Sequence, residues 1–187
     1  MKEYKKIIFL DIDGVLQAYS SKRRFDNLCN IPALQEELTA KYHVDYTKYD
    51  KYDLGAVYYD WDPHALYLLK RILKETGARI VVSSDWRSAG IERLIDFFRL
   101  HGLNEYVVDV TEDFTYKETG YYREKYKGVA TNYRVFEILE YLEKHPYIQK
   151  YAVIDDMNLN EGLEGHFVRT NNLLNSDDCE KAIAMLL

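Results

Sequence analysis

The sequence is poor in residues that break or staple a chain. Three Pro and nine Gly in 187 residues exclude a collagen-like, Pro-rich or low-complexity polymer. The two cysteines, Cys29 and Cys179, stand alone. They offer neither a disulfide framework nor a metal-ligand spacing, and the expectation is a reducing, cytoplasmic setting. Long hydrophobic runs are missing as well. The N-terminal MKEYKKIIFL turns apolar only to stop at Asp11, far too short for a signal core or a membrane span. Positive charge is not in excess: 25 Lys and Arg face 31 Asp and Glu, a net charge of −6. That balance argues against a duplex nucleic-acid partner, which needs a broad basic surface. No internal repeat and no linker interrupts the chain, so residues 1–187 are expected to form one domain.

What is there is a globular composition, 47% hydrophobic and 30% charged, with 18 Tyr; Tyr at this density serves first as amphipathic packing. Apolar segments alternate between two periods. Lys6–Leu10, Arg79–Val82, Tyr106–Val110, Tyr151–Ile154 and a weaker His166–Arg169 are short continuous runs, the pattern of strands buried on both faces. Between them lie helical repeats. Asp62-Pro63 opens a helix with Leu66, Leu69, Ile72 and Leu73 inward, ended by Gly77. Ser88 is expected to cap the next, with Ile91, Leu94, Ile95 and Phe98 inward, up to Gly102. Thr131 or Asn132 starts another (Val135, Ile138, Leu139, Leu142), and Ser176 caps the last (Cys179, Ile183, Leu186). Strand–helix alternation predicts an α/β fold: a Rossmann-like parallel sheet covered by helices on both faces. Residues 17–60 and 111–128 escape the alternation and are expected to be insertions, since connections this long are usually lids or binding loops.

Such sheets bind ligands at the carboxyl ends of their strands, and the polar clusters fall there. Asp11 and Asp13 follow the first strand, Ser83 and Ser84 the second, Asp155 and Asp156 the fourth. Two carboxylates before a Gly suit phosphoryl transfer, in which negative charge spreads over the transferred group's oxygens. Carboxylates alone would repel a phosphate, so a hard divalent cation is required. Asp11 and Asp156, helped by the backbone carbonyl of Asp13, would hold Mg²⁺. Asp11 would attack as the nucleophile, and Asp13 would serve as general acid and then base. The Ser83–Ser84 hydroxyls and amides would bind the phosphoryl group. Lys127 and Arg134, flanking a helix start, are the two candidates for the phosphate-binding cation.

Taken in order, IIFLDIDGV, RIVVSSDWR, a basic residue near a helix start and YAVIDDM resemble the four motifs of the haloacid dehalogenase superfamily, from Ile7 to about Arg169. The block DPHALYLLKRILKETGARIVVSSDWR, the later Arg134-x-x-Glu137-Ile138 and the terminal Asp-Asp are similar to small domains resembling RNA-repair phosphatases. The resemblance implies a Mg²⁺-dependent phosphomonoester hydrolase working through an aspartyl-phosphate. It implies Asp156 as metal ligand with Asp155 in support, Ser83 or else Ser84 on the phosphoryl group, and Arg134 over Lys127. It also implies a cap formed by residues 17–60. The expected substrate is a phosphorylated small molecule, nucleotide or oligonucleotide end. The alternative is a polynucleotide-end phosphatase or single-strand-binding module. Its support is Lys22-Arg23-Arg24 and the run from Tyr116 to Lys127, where Lys117, Arg123, Lys125 and Lys127 interleave with Tyr121, Tyr122 and Tyr126, diluted by Glu118 and Glu124.

Overall fold

The computed structural model describes residues 3–115, 117 and 119–187. In chain order the elements are β1 (Lys6–Leu10), α1 (Arg23–Asp26), α2 (Ile31–Tyr42), α3 (Lys51–Gly55) running into a π-helical turn (Ala56–Asp60), and α4 (Pro63–Thr76). Then come β2 (Arg79–Val82), a 3₁₀ turn (Asp85–Ala89), α5 (Ile91–Arg99), β3 (Val107–Val110), α6 (Thr119–Lys125), α7 (Tyr133–Lys144), β4 (Lys150–Asp155), β5 (Phe167–Arg169) and α8 (Ser176–Leu186). Each predicted strand is present within a residue or two of its expected bounds.

The five strands lie in the order β3-β2-β1-β4-β5, and every pair is parallel. Side chains on a strand alternate between faces, and the core divides accordingly. Ile8, Leu10, Ile80, Val82, Ala152 and Ile154 pack on one side with residues of α4, α5 and α8. Ile7, Phe9, Val81 and Val153 pack on the other against Val135, Phe136 and Ile138 of α7. From β1 the chain runs outward through β2 and β3, then returns to the far side of β1 as β4. The order reverses between β1 and β4, and at such a switch point the loops diverge and leave a crevice at the carboxyl ends.

The helix starts follow local capping chemistry. The Asp62 side chain accepts from the His64 and Ala65 amides, and Gly77 closes α4 in a left-handed conformation that a side chain would disfavour. Asn132 caps α7 by accepting from the Arg134 amide. Two caps differ from expectation. Ser88 lies inside the 3₁₀ turn, and Gly90 precedes α5; the Arg87 N–H to Ser84 and Gly90 N–H to Arg87 hydrogen bonds tighten the chain there before a helix can begin. At α8 the capping side chain is Asn175, which accepts from Asp178, and Ser176 is the first helical residue.

Residues 17–60 carry α1, α2, α3 and the π-helical turn. Ile31, Leu34, Leu38, Tyr46, Leu54 and Val57 are buried in the same cluster as Leu69, Phe97 and Phe98. Tyr46 and Tyr49 hydrogen-bond the backbone carbonyl and carboxylate of Asp96 on α5. This segment shares the core of the sheet domain. Among the described residues no helix is long and apolar enough to cross a membrane.

Candidate active site

The parallel ladder aligns the strand ends. The Asp11 amide donates to the Ile154 carbonyl and the Ser83 amide to the Leu10 carbonyl, each at 3.0 Å. Asp11, Ser83 and Asp155 therefore fall in one row across β2, β1 and β4. After Asp11 the chain folds back at once. The amides of Val15, Leu16 and Gln17 all reach the Ile12 carbonyl, and Gly14 adopts φ +73°. A Cβ at Gly14 would stand 2.7 Å from the Asp156 carboxyl carbon. Only glycine lets the two loops meet this closely.

Asp11, Asp155 and Asp156 offer carboxylate oxygens that all lie within 4.8 Å of one another. Arg134, in the first turn of α7, reaches across them. One of its terminal nitrogens, Nη1, lies 2.9 Å from Asp11 Oδ1 and 3.1 Å from Asp155 Oδ2; the other, Nη2, lies 3.0 Å from Asp85 Oδ1. The Ser84 side chain also favours the ionised Asp11 carboxylate. The Ser83 hydroxyl is buried and has no partner among the described residues, a costly state unless something else accepts or donates there.

Burial pushes the Asp11 carboxyl up, opposed chiefly by Arg134. Burial, with the negative charge of Asp11 alongside, pushes Asp155 up to about 7. Arg134 is itself buried, but Asp11, Asp155 and Asp85 outweigh that cost and hold its proton more tightly than usual. One guanidinium thus serves three carboxylates while Asp156 and Asp13 stand close by. That surplus of hard oxygen donors suits a divalent cation such as Mg²⁺.

Asp13 is held separately. Its Oδ1 accepts from Gln17 Nε2 at 3.2 Å and its Oδ2 from the Trp86 indole N–H at 2.9 Å. Partial burial raises its pKa, countered by the Trp86 hydrogen bond. Its carboxylate is not among the three that cluster.

Lys127 is elsewhere. It is exposed, lies 3.6 Å from Glu124 and lines a different cleft with Arg123, Thr131 and Phe136. Asp11, Asp13, Ser83, Ser84, Arg134, Asp155 and Asp156 are brought together; Lys127 is not. The Tyr-rich run is also largely committed. Tyr126 stacks on Phe136 and Tyr122 on Phe114, and Lys125 pairs with Glu140 and Glu143. Tyr116 and Glu118 lie outside the described residues.

Several partners escaped the sequence reading. The Tyr19 hydroxyl donates to Asp156 Oδ2 at 2.7 Å. Arg87 is buried, donating 2.8 Å bonds to Glu137 Oε1 and to the Ser83 carbonyl; the same Glu137 oxygen accepts from the Phe114 amide. This pair clamps the loop carrying Ser83 and Trp86 onto α7. The Arg-x-x-Glu spacing was the only hint of Glu137, and nothing local pointed to Tyr19.

An all-parallel sheet with acids closing β1 and β4 and hydroxyls closing β2 defines a Rossmann-like core of the haloacid dehalogenase (HAD) class. Residues 7–175 match the family described as the HAD domain in Swiss Army Knife RNA repair proteins, and the chain belongs to that family. No curated protein and no solved structure matches it.

Proposed function

We propose that this chain is a phosphomonoester hydrolase that removes phosphate from nucleotide or oligonucleotide ends through an aspartyl-phosphate on Asp11. The observation that carries the reading is the cluster of Asp11, Asp155 and Asp156 beside a guanidinium and an unpaired buried hydroxyl. The family's occurrence in RNA repair proteins supports the substrate class.

Asp11, Asp155 and Asp156 would hold Mg²⁺, whose charge offsets repulsion between the acids and a phosphate and favours charge on the phosphoryl oxygens. Arg134 opposes the effect of burial on Asp11 and holds its carboxylate in place, and can turn a terminal nitrogen to a phosphoryl oxygen. The Ser83 hydroxyl is available to a second phosphoryl oxygen. A carboxylate oxygen of Asp11 bonds to phosphorus as the ester P–O bond breaks, and Asp13 gives its proton to the leaving oxygen. The resulting Asp13 carboxylate then takes a proton from water, whose oxygen attacks the same phosphorus. The acyl–phosphate bond breaks, returning free Asp11 and inorganic phosphate.

The test is phosphate release from a panel of nucleotides, sugar phosphates and 3′- or 5′-phosphorylated oligonucleotides, with Mg²⁺ or with EDTA. Wild-type protein is expected to turn over with Mg²⁺ only, and Asp11→Asn to lose at least about a thousandfold, as removal of a nucleophile does. Equal release by wild type and Asp11→Asn refutes the proposal.

A further inference from the structure

A cleft of about 550 Å³ opens beside Asp156, lined by Tyr19, Arg169, Thr170, Asn171 and Asn172. Its volume is in the range that holds a small organic ligand, roughly 300–1,000 Å³. It shares a wall with the acidic cluster, because Asp156 belongs to both. Its walls are also pinned to each other. The Thr170 hydroxyl donates to the Gly14 carbonyl at 2.7 Å, the Leu174 amide to the Val15 carbonyl at 2.9 Å, and the Tyr19 amide to Asn172 Oδ1 at 3.2 Å.

Tyr19 is thus held at both ends, by its amide on Asn172 and its hydroxyl on Asp156, while 66% of its surface stays exposed. A ring anchored through its hydroxyl, on a backbone that is itself held, and largely exposed is a stacking platform whose ordering cost has been met in part in advance. Asn171 and Asn172 line the same cleft, and side-chain amides are the polar chemistry that reads a base edge or ribose hydroxyls. Arg169 donates through Nε to the Asp156 carbonyl at 3.0 Å, and among the described residues no carboxylate pairs with its guanidinium. An exposed, unpaired fork beside a ring suits a backbone phosphate.

The geometry points to this cleft as the seat of the terminal nucleoside of a phosphorylated single strand: base on Tyr19, sugar and base edge on Asn171 and Asn172, next backbone phosphate on Arg169. The inference rests on the proposed phosphatase reading and names its substrate class, because a sugar phosphate would leave the ring and the guanidinium unused.

Binding separates this inference from turnover. In Asp11→Asn protein, with and without Mg²⁺, affinity for a fluorescent 5′- or 3′-phosphorylated trinucleotide is measured across a salt series. Tyr19→Leu is expected to weaken binding about tenfold, the size of one lost base stack. Tyr19→Phe, which keeps the ring, stays within about threefold. Arg169→Ala, at an exposed position, reduces the salt slope by about 0.7, one single-strand phosphate contact. Ribose 5-phosphate competes poorly against the corresponding mononucleotide. Undiminished binding by Tyr19→Leu with an unchanged slope in Arg169→Ala overturns the inference, as does equal competition by ribose 5-phosphate. Absence of phosphate release by wild type, with these binding effects intact, overturns only the phosphatase reading.

Discussion

Trp86→Phe probes the proposed acid/base directly. The Trp86 ring packs edge-on against Trp61 and Phe97, at 6.3 and 6.1 Å between centroids, so phenylalanine retains most of the apolar contact. What it removes is the indole N–H, 2.9 Å from Asp13 Oδ2. Gln17 remains on the other oxygen but cannot alone stop the carboxyl from rotating. As Asp13 gives up its proton the Trp86 N–H comes to serve a carboxylate, a bond of about 1.5–3 kcal/mol, so losing it is expected to cost about 10- to 100-fold in kcat where proton donation limits the rate. The assay compares leaving groups. An alkyl or ribose phosphate needs its departing oxygen protonated, and kcat should fall by that factor. The p-nitrophenolate of p-nitrophenyl phosphate leaves without help, so its pre-steady-state burst, which precedes the Asp13-assisted hydrolysis of the aspartyl-phosphate, should slow by less than about threefold. KM should stay near wild type for both, since Trp86 donates to Asp13 and is not assigned to the bound phosphate. Equal losses on the two substrates refute the reasoning, because a distorted site would slow every ester alike.

Arg87→Met should strand Glu137 as an unpaired buried acid and cost about 3–5 kcal/mol, lowering Tm by about 6–20 °C in a domain of this size. Arg87→Met/Glu137→Gln, which keeps an acceptor for the Phe114 amide, should recover most of that; no recovery in a thermal melt would show that the charge pair is not the cause. Gly14→Ala should abolish phosphatase activity, because its Cβ meets Asp156 at 2.7 Å, whereas Gly77→Ala, also at φ +73° but with nothing within 4 Å, should lose only the backbone penalty of about 1–2 kcal/mol. Comparable activity of the two variants contradicts the close approach. His101 supplies a pH signature: burial against Trp61 pushes it down to about 4 from an ordinary 6.5, outweighing the opposing hydrogen bond with the Val57 carbonyl. Between those values the unfolded chain takes a proton that the folded one refuses, so stability is full above pH 6.5 and falls toward pH 4, by up to about 3 kcal/mol. Urea midpoints of wild type and His101→Gln should diverge over that window, and parallel curves would remove His101 as the cause.

The residues legible in the sequence and the residues that were not differ in what sets their positions. Asp11, Ser83, Asp155 and Asp156 end apolar runs of strand length, so periodicity alone places them at the rim of a parallel sheet. Their holders come from far along the chain: Tyr19 lies 137 residues from Asp156, Trp86 lies 73 from Asp13, and Arg87 lies 50 from Glu137. Those meetings depend on how loops pack over the sheet, which no local pattern encodes. The burial of residues 17–60 in the common core is hidden for the same reason, since Tyr46 and Leu54 carry no period that marks their inward face. Arg134 is the instructive intermediate. As a charge it is indistinguishable from Lys127, and composition cannot choose between them. Asn132 can: by capping α7 through the Arg134 amide it starts the helix at Tyr133, which sets Arg134 in the first turn, where the guanidinium reaches Asp11 and Asp155. Lys127 precedes that cap and follows its own chain outward to Glu124. The resemblance through Arg134-x-x-Glu137-Ile138 carried the choice that charge alone left open, and the helix start gives the physical reason that Arg134 can reach the acids and Lys127 does not.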